Sequence, residues 1–78
     1  MKCLSYIAIH TESDHEMPVL KKIRQIKSVA DAFRVYGVYD LVAQAETCDK
    51  IELETITEEI NRIQSVRGTS ALNPELKE

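Results

Sequence analysis

The chain has no tryptophan, only two glycines, only two prolines and no low-complexity tract. With an apolar fraction of 44% and a charged fraction of 29%, this scarcity of loop formers describes a globular protein and argues against disorder. No apolar run approaches the roughly 18 residues that a membrane span requires. The opening "MKCLSYIAIH" is interrupted by Ser5 and runs into "HTESDHE" with no small-residue cleavage site, so it does not read as a signal peptide. A cytoplasmic location is expected.

A basic excess is missing too. The net charge is −3, whereas binding to nucleic acid needs a face of Lys and Arg that displaces phosphate counterions. The nearest candidate is "KKIRQIK" (Lys21, Lys22, Arg24, Lys27). The acidic stretches outweigh it, and it reads as a solvated helix face. No direct contact with nucleic acid is expected.

Chemistry-bearing constellations are equally scarce. Cys3 and Cys48 form no CxxC or other metal spacing and read as reduced thiols; a disulfide between them is compatible with the fold below but not favoured. His10 and His15 have no third ligand, carboxylate pair or nucleophile at a matching spacing, and read as surface-loop residues. No glycine loop is built to cradle a phosphate. Neither a metal, a cofactor nor enzymatic activity is expected.

What is present is a clear succession of elements. Residues 2–10 are β-branched and aromatic and read as a strand. In "TESDHEMP", Thr11, Ser13 or Asp14 can cap a helix, Glu12 and Glu16 suit its positive end, and Pro18 is tolerated in a first turn. Val19, Leu20, Ile23 and Ile26 then recur at helical spacing, predicting a helix over 14–27. Strands follow at 29–36 and 40–47, joined through Gly37, which adopts positive φ at little cost. Asp49 and Glu52 form a capping pattern ahead of a second helix, whose apolar stripe is Leu53, Ile56, Ile60 and Ile63. A last strand at 66–73 stops at Pro74.

This βαββαβ order predicts one domain, 1–78, of the α+β class. Its expected form is a ferredoxin-like sandwich, a four-stranded antiparallel sheet in order 4-1-3-2 with both helices on one face. The first strand is apolar on both sides: Cys3, Ile7 and Ile9 point one way, Leu4, Tyr6 and Ala8 the other. The third strand sets Leu41, Ala43 and Ala45 against Val42, Gln44 and Glu46. Helices cover only one face, and an exposed apolar face marks an interface. A domain this small buries only roughly 60% of its unfolded surface, so a lone monomer is marginal. A homodimer packed sheet to sheet is expected.

Two stretches carry a resemblance across about residues 3–73. "VYGVYDLVAQAET" presents Gly37, Val38, Tyr39 and Asp40 as a glycine, any residue, an aromatic and an aspartate in the hairpin. "INRIQSVRGTSALN" follows an "I…I–x–x–V" pattern with Ile60, Ile63 and Val66, then Thr69 and Ser70; Ser70 and Ala71 depart from a more usual second threonine. Together they make the chain similar to the ligand-sensing RAM domain of Lrp/AsnC transcription regulators. The chain lacks the helix-turn-helix of full-length relatives and so looks like a stand-alone sensor. The resemblance implies homodimers whose sheets face each other and which assemble into rings. It also implies an amino acid or similar effector bound between dimers near the hairpin, and co-assembly with helix-turn-helix relatives.

The candidate ligand-binding residues are Tyr36, Gly37, Tyr39, Asp40, Thr69 and Ser70. Asp40 can bond the turn's own amides or receive an α-ammonium. Tyr36 and Tyr39 can pack an interface or wall a pocket. Thr69 and Ser70 can offer hydroxyls to a ligand or serve as ordinary strand residues, and Gly68 marks a bulge or a close backbone approach. The leading reading is a non-enzymatic sensor. The alternative is a small dimeric α/β-barrel enzyme, monooxygenase- or isomerase-like, with its cavity inside each subunit. A purely structural assembly module is a third reading.

Overall fold

A computed structural model describes residues 3–47 and 49–72. A Cys3–Cys48 pairing lies outside the described residues. The elements are β1 (Cys3–Thr11), α1 (Glu16–Arg24), β2 (Val29–Arg34), β3 (Leu41–Thr47), α2 (Lys50–Asn61) and β4 (Val66–Leu72). They form one 4-stranded sheet in the order β2-β3-β1-β4, which is the expected 4-1-3-2 read from its other edge. Every pairing is antiparallel. The fold is ferredoxin-like.

The core lies between the sheet and the helices. Ile7 and Ile9 of β1 and Leu41, Ala43 and Ala45 of β3 are fully buried against Val19, Leu20 and Ile23 of α1 and Leu53, Ile56 and Ile60 of α2. Ile26 and Ile63, the last members of the two helical stripes, are half-buried at its margin. Three polar side chains are buried, those of Ser5, Thr11 and Thr47; the Ser5 and Thr47 hydroxyls meet at 2.8 Å, so that neither of these two is without a partner.

Asp49 caps α2 as its sequence predicts, accepting from the Glu52 amide at 2.8 Å. The start of α1 differs from expectation. Its N-cap is His15, without a side-chain cap bond, and the helix is shorter at both ends than 14–27. Asp14 takes a left-handed conformation, φ 67, which Asp tolerates better than most residues, and so belongs to the turn rather than to the helix. Pro18 does sit in the first turn, where its missing N–H costs no helical bond. At the other end of α1, Arg24 is not a free cation: its Nε and Nη2 donate to the Ala32 carbonyl at 3.1 and 2.7 Å and tie the helix to β2.

Two bulges decide which side chains share a face. In β2, Val29 stands opposite Ala45 and Asp31 opposite Gln44, leaving Ala30 as the extra residue. Val29 and Ala32 are therefore both buried although three positions apart, which accounts for the loose alternation of "VADAFR". In β4, His10 stands opposite Gly68 and Thr11 opposite Val66, so that Arg67 is extra.

The face away from the helices carries Leu4, Tyr6 and Phe33, exposed by 41, 37 and 37%. Ala8 and Val42 lie half-buried among them, with Phe33, Val42, Ala8 and Ser70 forming one row across all four strands. No described helix is long and apolar enough to cross a membrane.

Candidate functional site

The end of β1, the start of β4 and the loop between β2 and β3 converge at one end of the sheet. The loop, residues 35–40, is tied at its base by Val35 N–H donating to the Asp40 carbonyl at 3.0 Å. The Asp40 N–H in turn donates to the Ile9 carbonyl at 3.0 Å, so the hairpin is stitched to the central strand. Gly37 has φ +138, a conformation that a side chain resists, which explains the glycine at the tip.

Asp40 does not bond its own turn's amides. Its Oδ2 accepts from the backbone N–H of Thr11 at 2.9 Å, where β1 faces the β4 bulge. Oδ1 has no hydrogen bond to a described residue, and the side chain is 35% exposed. His10 completes the group. Its Nδ1 stands 3.8 Å from Asp40 Oδ2, and its ring packs on Tyr39 with centroids 4.4 Å apart and planes tilted by 37°. His10 is thus a strand residue, as the strand expected over 2–10 has it, and not the surface-loop residue that its lack of metal partners suggests. Its place depends on β1 running through Thr11, one residue beyond the predicted strand.

Beside this group lies an open cleft of about 390 Å³ lined by His10, Thr11, Arg67 and Gly68. Its size falls in the range of about 300–1,000 Å³ usual for small-molecule sites. Gly68 sits opposite His10, and a Cβ there would meet nothing within 4 Å, so no close backbone approach demands the glycine. Arg67 is exposed, and its guanidinium has no hydrogen bond or ion pair with a described residue. The Thr11 hydroxyl is buried without a hydrogen-bond partner.

The six candidate residues are not all brought together. Tyr39 and Asp40 both stand against His10, which lines the cleft, and Gly37 holds the loop that carries them. Tyr36 is 95% exposed at the loop's tip, touching nothing that could fix a ligand. Thr69 and Ser70 lie on opposite faces of the sheet. The Thr69 hydroxyl accepts from Asn61 Nδ2 at 3.0 Å on the helix side, whereas Ser70 is exposed on the open face opposite Ala8. Sequence reasoning missed His10, Thr11 and Arg67. The only available signal was the alternation of β1 carried through to Thr11. Among the described residues no three His, Cys, Asp or Glu side chains gather as metal ligands.

Comparison with known proteins gives a consistent picture. The family model for the Lrp/AsnC ligand binding domain matches residues 4–72. A protein of Thermus thermophilus superposes with TM-score 0.87 at 25% identity, over 100% of this chain and 98% of its own. A hypothetical protein of Pyrococcus horikoshii does so with TM-score 0.81 at 31% identity, over 99% and 93%. A transcriptional regulator of Neisseria meningitidis, solved as its L-Met complex, shares the fold with TM-score 0.77 at 15% identity; the match covers 97% of this chain and 53% of the regulator. No curated protein gives a significant sequence match.

Proposed function

Because the chain belongs to the Lrp/AsnC ligand-binding domain family, we propose that it is a non-enzymatic cytoplasmic sensing domain for a small effector, an amino acid. One observation carries this reading. Asp40 is a partly exposed carboxylate held in place by the Thr11 amide through one oxygen, the other making no hydrogen bond to a described residue, and it adjoins His10 and Thr11, which line a cleft of about 390 Å³. A carboxylate fixed in this way receives an ammonium without the cost of ordering a mobile side chain. The neighbouring His10–Tyr39 ring pair supplies an apolar wall. The L-Met complex of the Neisseria regulator supports an amino acid as the effector class.

The apolar open face, with Leu4, Tyr6 and Phe33 exposed, supports a homodimer packed sheet to sheet. Dimers then join into rings, with the exposed Tyr36 and Val38 of the loop tip at the junctions. Residues 1–78 act as one sensing unit that modulates helix-turn-helix Lrp/AsnC relatives by co-assembling with them, without touching nucleic acid itself. The mechanism is linkage: an effector favours one assembly by as much as it binds that assembly more tightly. The enzyme alternative calls for a cavity between sheet and helices. The centre of that space is filled by Ile7, Ile9, Leu41, Ile23 and Ile60, all fully buried, and what remains is an open groove at its margin between α2 and β4, lined by Leu53, Thr57 and Ala71, which favours the sensor.

The test is a thermal-shift survey of the twenty L-amino acids, paired with light scattering. The expected result is a rise in Tm with one or a few of them and a mass above that of the monomer. No shift with any amino acid and a monomeric mass would refute the reading.

A further inference from the structure

The β4 bulge places in the cleft a cation that pairs with no described residue. Regular alternation sends neighbouring side chains to opposite faces. The extra residue, Arg67, breaks that alternation, and it lines the same cleft as His10 and Gly68, which face each other across the strand pair. A bulge re-aims a side chain in this way. Its guanidinium has no carboxylate partner among the described residues, and the Asp40 carboxylate beside His10 is engaged with the Thr11 amide. The cleft thus presents a cation without a partner among the described residues, and His10, which also lines it, stands 3.8 Å from the Asp40 carboxylate.

We propose that Arg67 is the carboxylate receptor of this site, so that a zwitterion is held by its two ends, and that Gly68 sets the size of side chain admitted. This rests on the sensor reading above and sharpens it: the effector must carry a free carboxylate. The planar fork of Arg matches a carboxylate in two parallel hydrogen bonds, which an ammonium cannot reproduce. At Gly68 the absent side chain leaves open space, since a Cβ would meet nothing within 4 Å. A branched side chain there would project into the cleft without displacing the backbone.

Calorimetry on the full chain tests both roles. Each of the twenty L-amino acids is titrated, and each that binds is compared with its own carboxamide, which keeps the ammonium and removes the negative charge. The expected results are binding weakened about tenfold or more by Arg67→Gln, as for loss of a hydrogen bond to a charged group, and a partial recovery in Arg67→Lys. The carboxamide should bind weakly to the parent and be insensitive to Arg67→Gln. Because Arg67 is exposed and pairs with no described residue, the Tm of the unliganded variants should match the parent's. Gly68→Val should penalise larger amino acids more than glycine or alanine. An amino acid that binds the parent and Arg67→Gln equally overturns the carboxylate role while leaving the sensor reading intact. An equal loss for all sizes in Gly68→Val overturns the size role. A parent chain that binds no amino acid removes the sensor reading and this inference with it.

Discussion

Replacing Asp40 separates what its carboxylate does for the fold from what it does for a ligand. Oδ2 accepts from the Thr11 N–H at 2.9 Å, and Thr11 is only 7% exposed. In Asp40→Ala that donor is left where water reaches it poorly, and a buried donor without its acceptor costs about 1–3 kcal/mol. For a domain of this size each kcal/mol moves Tm by about 4–8 °C, so the expected loss is about 4–24 °C. Asp40→Asn keeps a carbonyl oxygen for the same donor and should lie much closer to the parent. The two substitutions agree, by contrast, in removing the charge that would hold an ammonium. Binding of a recognised amino acid should therefore fall by about 1.5–3 kcal/mol in Asp40→Asn, the usual worth of a hydrogen bond to a charged group. Thermal melts followed by circular dichroism and calorimetry of the folded variants measure the two effects separately. An Asp40→Ala protein as stable as the parent would refute the structural half of the reasoning. Unchanged affinity in Asp40→Asn would refute the functional half and reduce the aspartate to a strand clamp.

Other substitutions probe the remaining features. Ala8→Glu places a charge in the row of Phe33, Val42 and Ser70 on the open face and should yield monomers or unfolding; light scattering showing an unchanged oligomer would count against the sheet-to-sheet dimer. Gly37→Ala forces a Cβ onto φ +138 and should destabilise by about 1–3 kcal/mol in denaturant titrations, even though the side chain would meet open space. Asp49→Ala removes the acceptor for the Glu52 amide and should cost about 1 kcal/mol by the same assay. The purified chain, with net charge −3, should give no sub-micromolar gel shift with DNA at physiological salt.

Where a residue's role depends on local chemistry, the sequence carried it. Asp49 followed by Glu52, the stripe Leu53, Ile56 and Ile60, and glycine at position 37 each announce a cap, a buried face or a turn, and each is found in its expected place. The strand order also followed, because right-handed crossovers leave a βαββαβ chain few ways to close. Register was less accessible. A bulge adds one residue to one strand without changing composition, so nothing in "VADAFR" marks Ala30 as extra; in "VRGT" Gly68 signals the bulge that is found there, but not that Arg67 is the extra residue. The consequences fall on the site. Thr69 and Ser70, adjacent in sequence, face opposite sides of the sheet, whereas Arg67 joins His10 in one cleft. The start of α1 escaped for a related reason: Thr11, Ser13 and Asp14 are all good capping types, but Thr11 is committed to β1 and Asp14 to a left-handed turn. His10 falls within the strand expected over 2–10, but its part in the site was not legible, because only the fold brings Tyr39 and Asp40 to its ring.

The central claim is that an amino acid is recognised where the β2–β3 loop meets the β1 and β4 bulge. Nuclear magnetic resonance of the ¹⁵N-labelled chain tests it most directly, with titration of whichever amino acid raises Tm. The account expects the largest amide shifts at His10 and Thr11, from Gly37 to Leu41, and from Arg67 to Thr69, all at one end of the sheet. Shifts concentrated instead along the groove of Lys50, Leu53, Thr57 and Ala71, between α2 and β4, would contradict it.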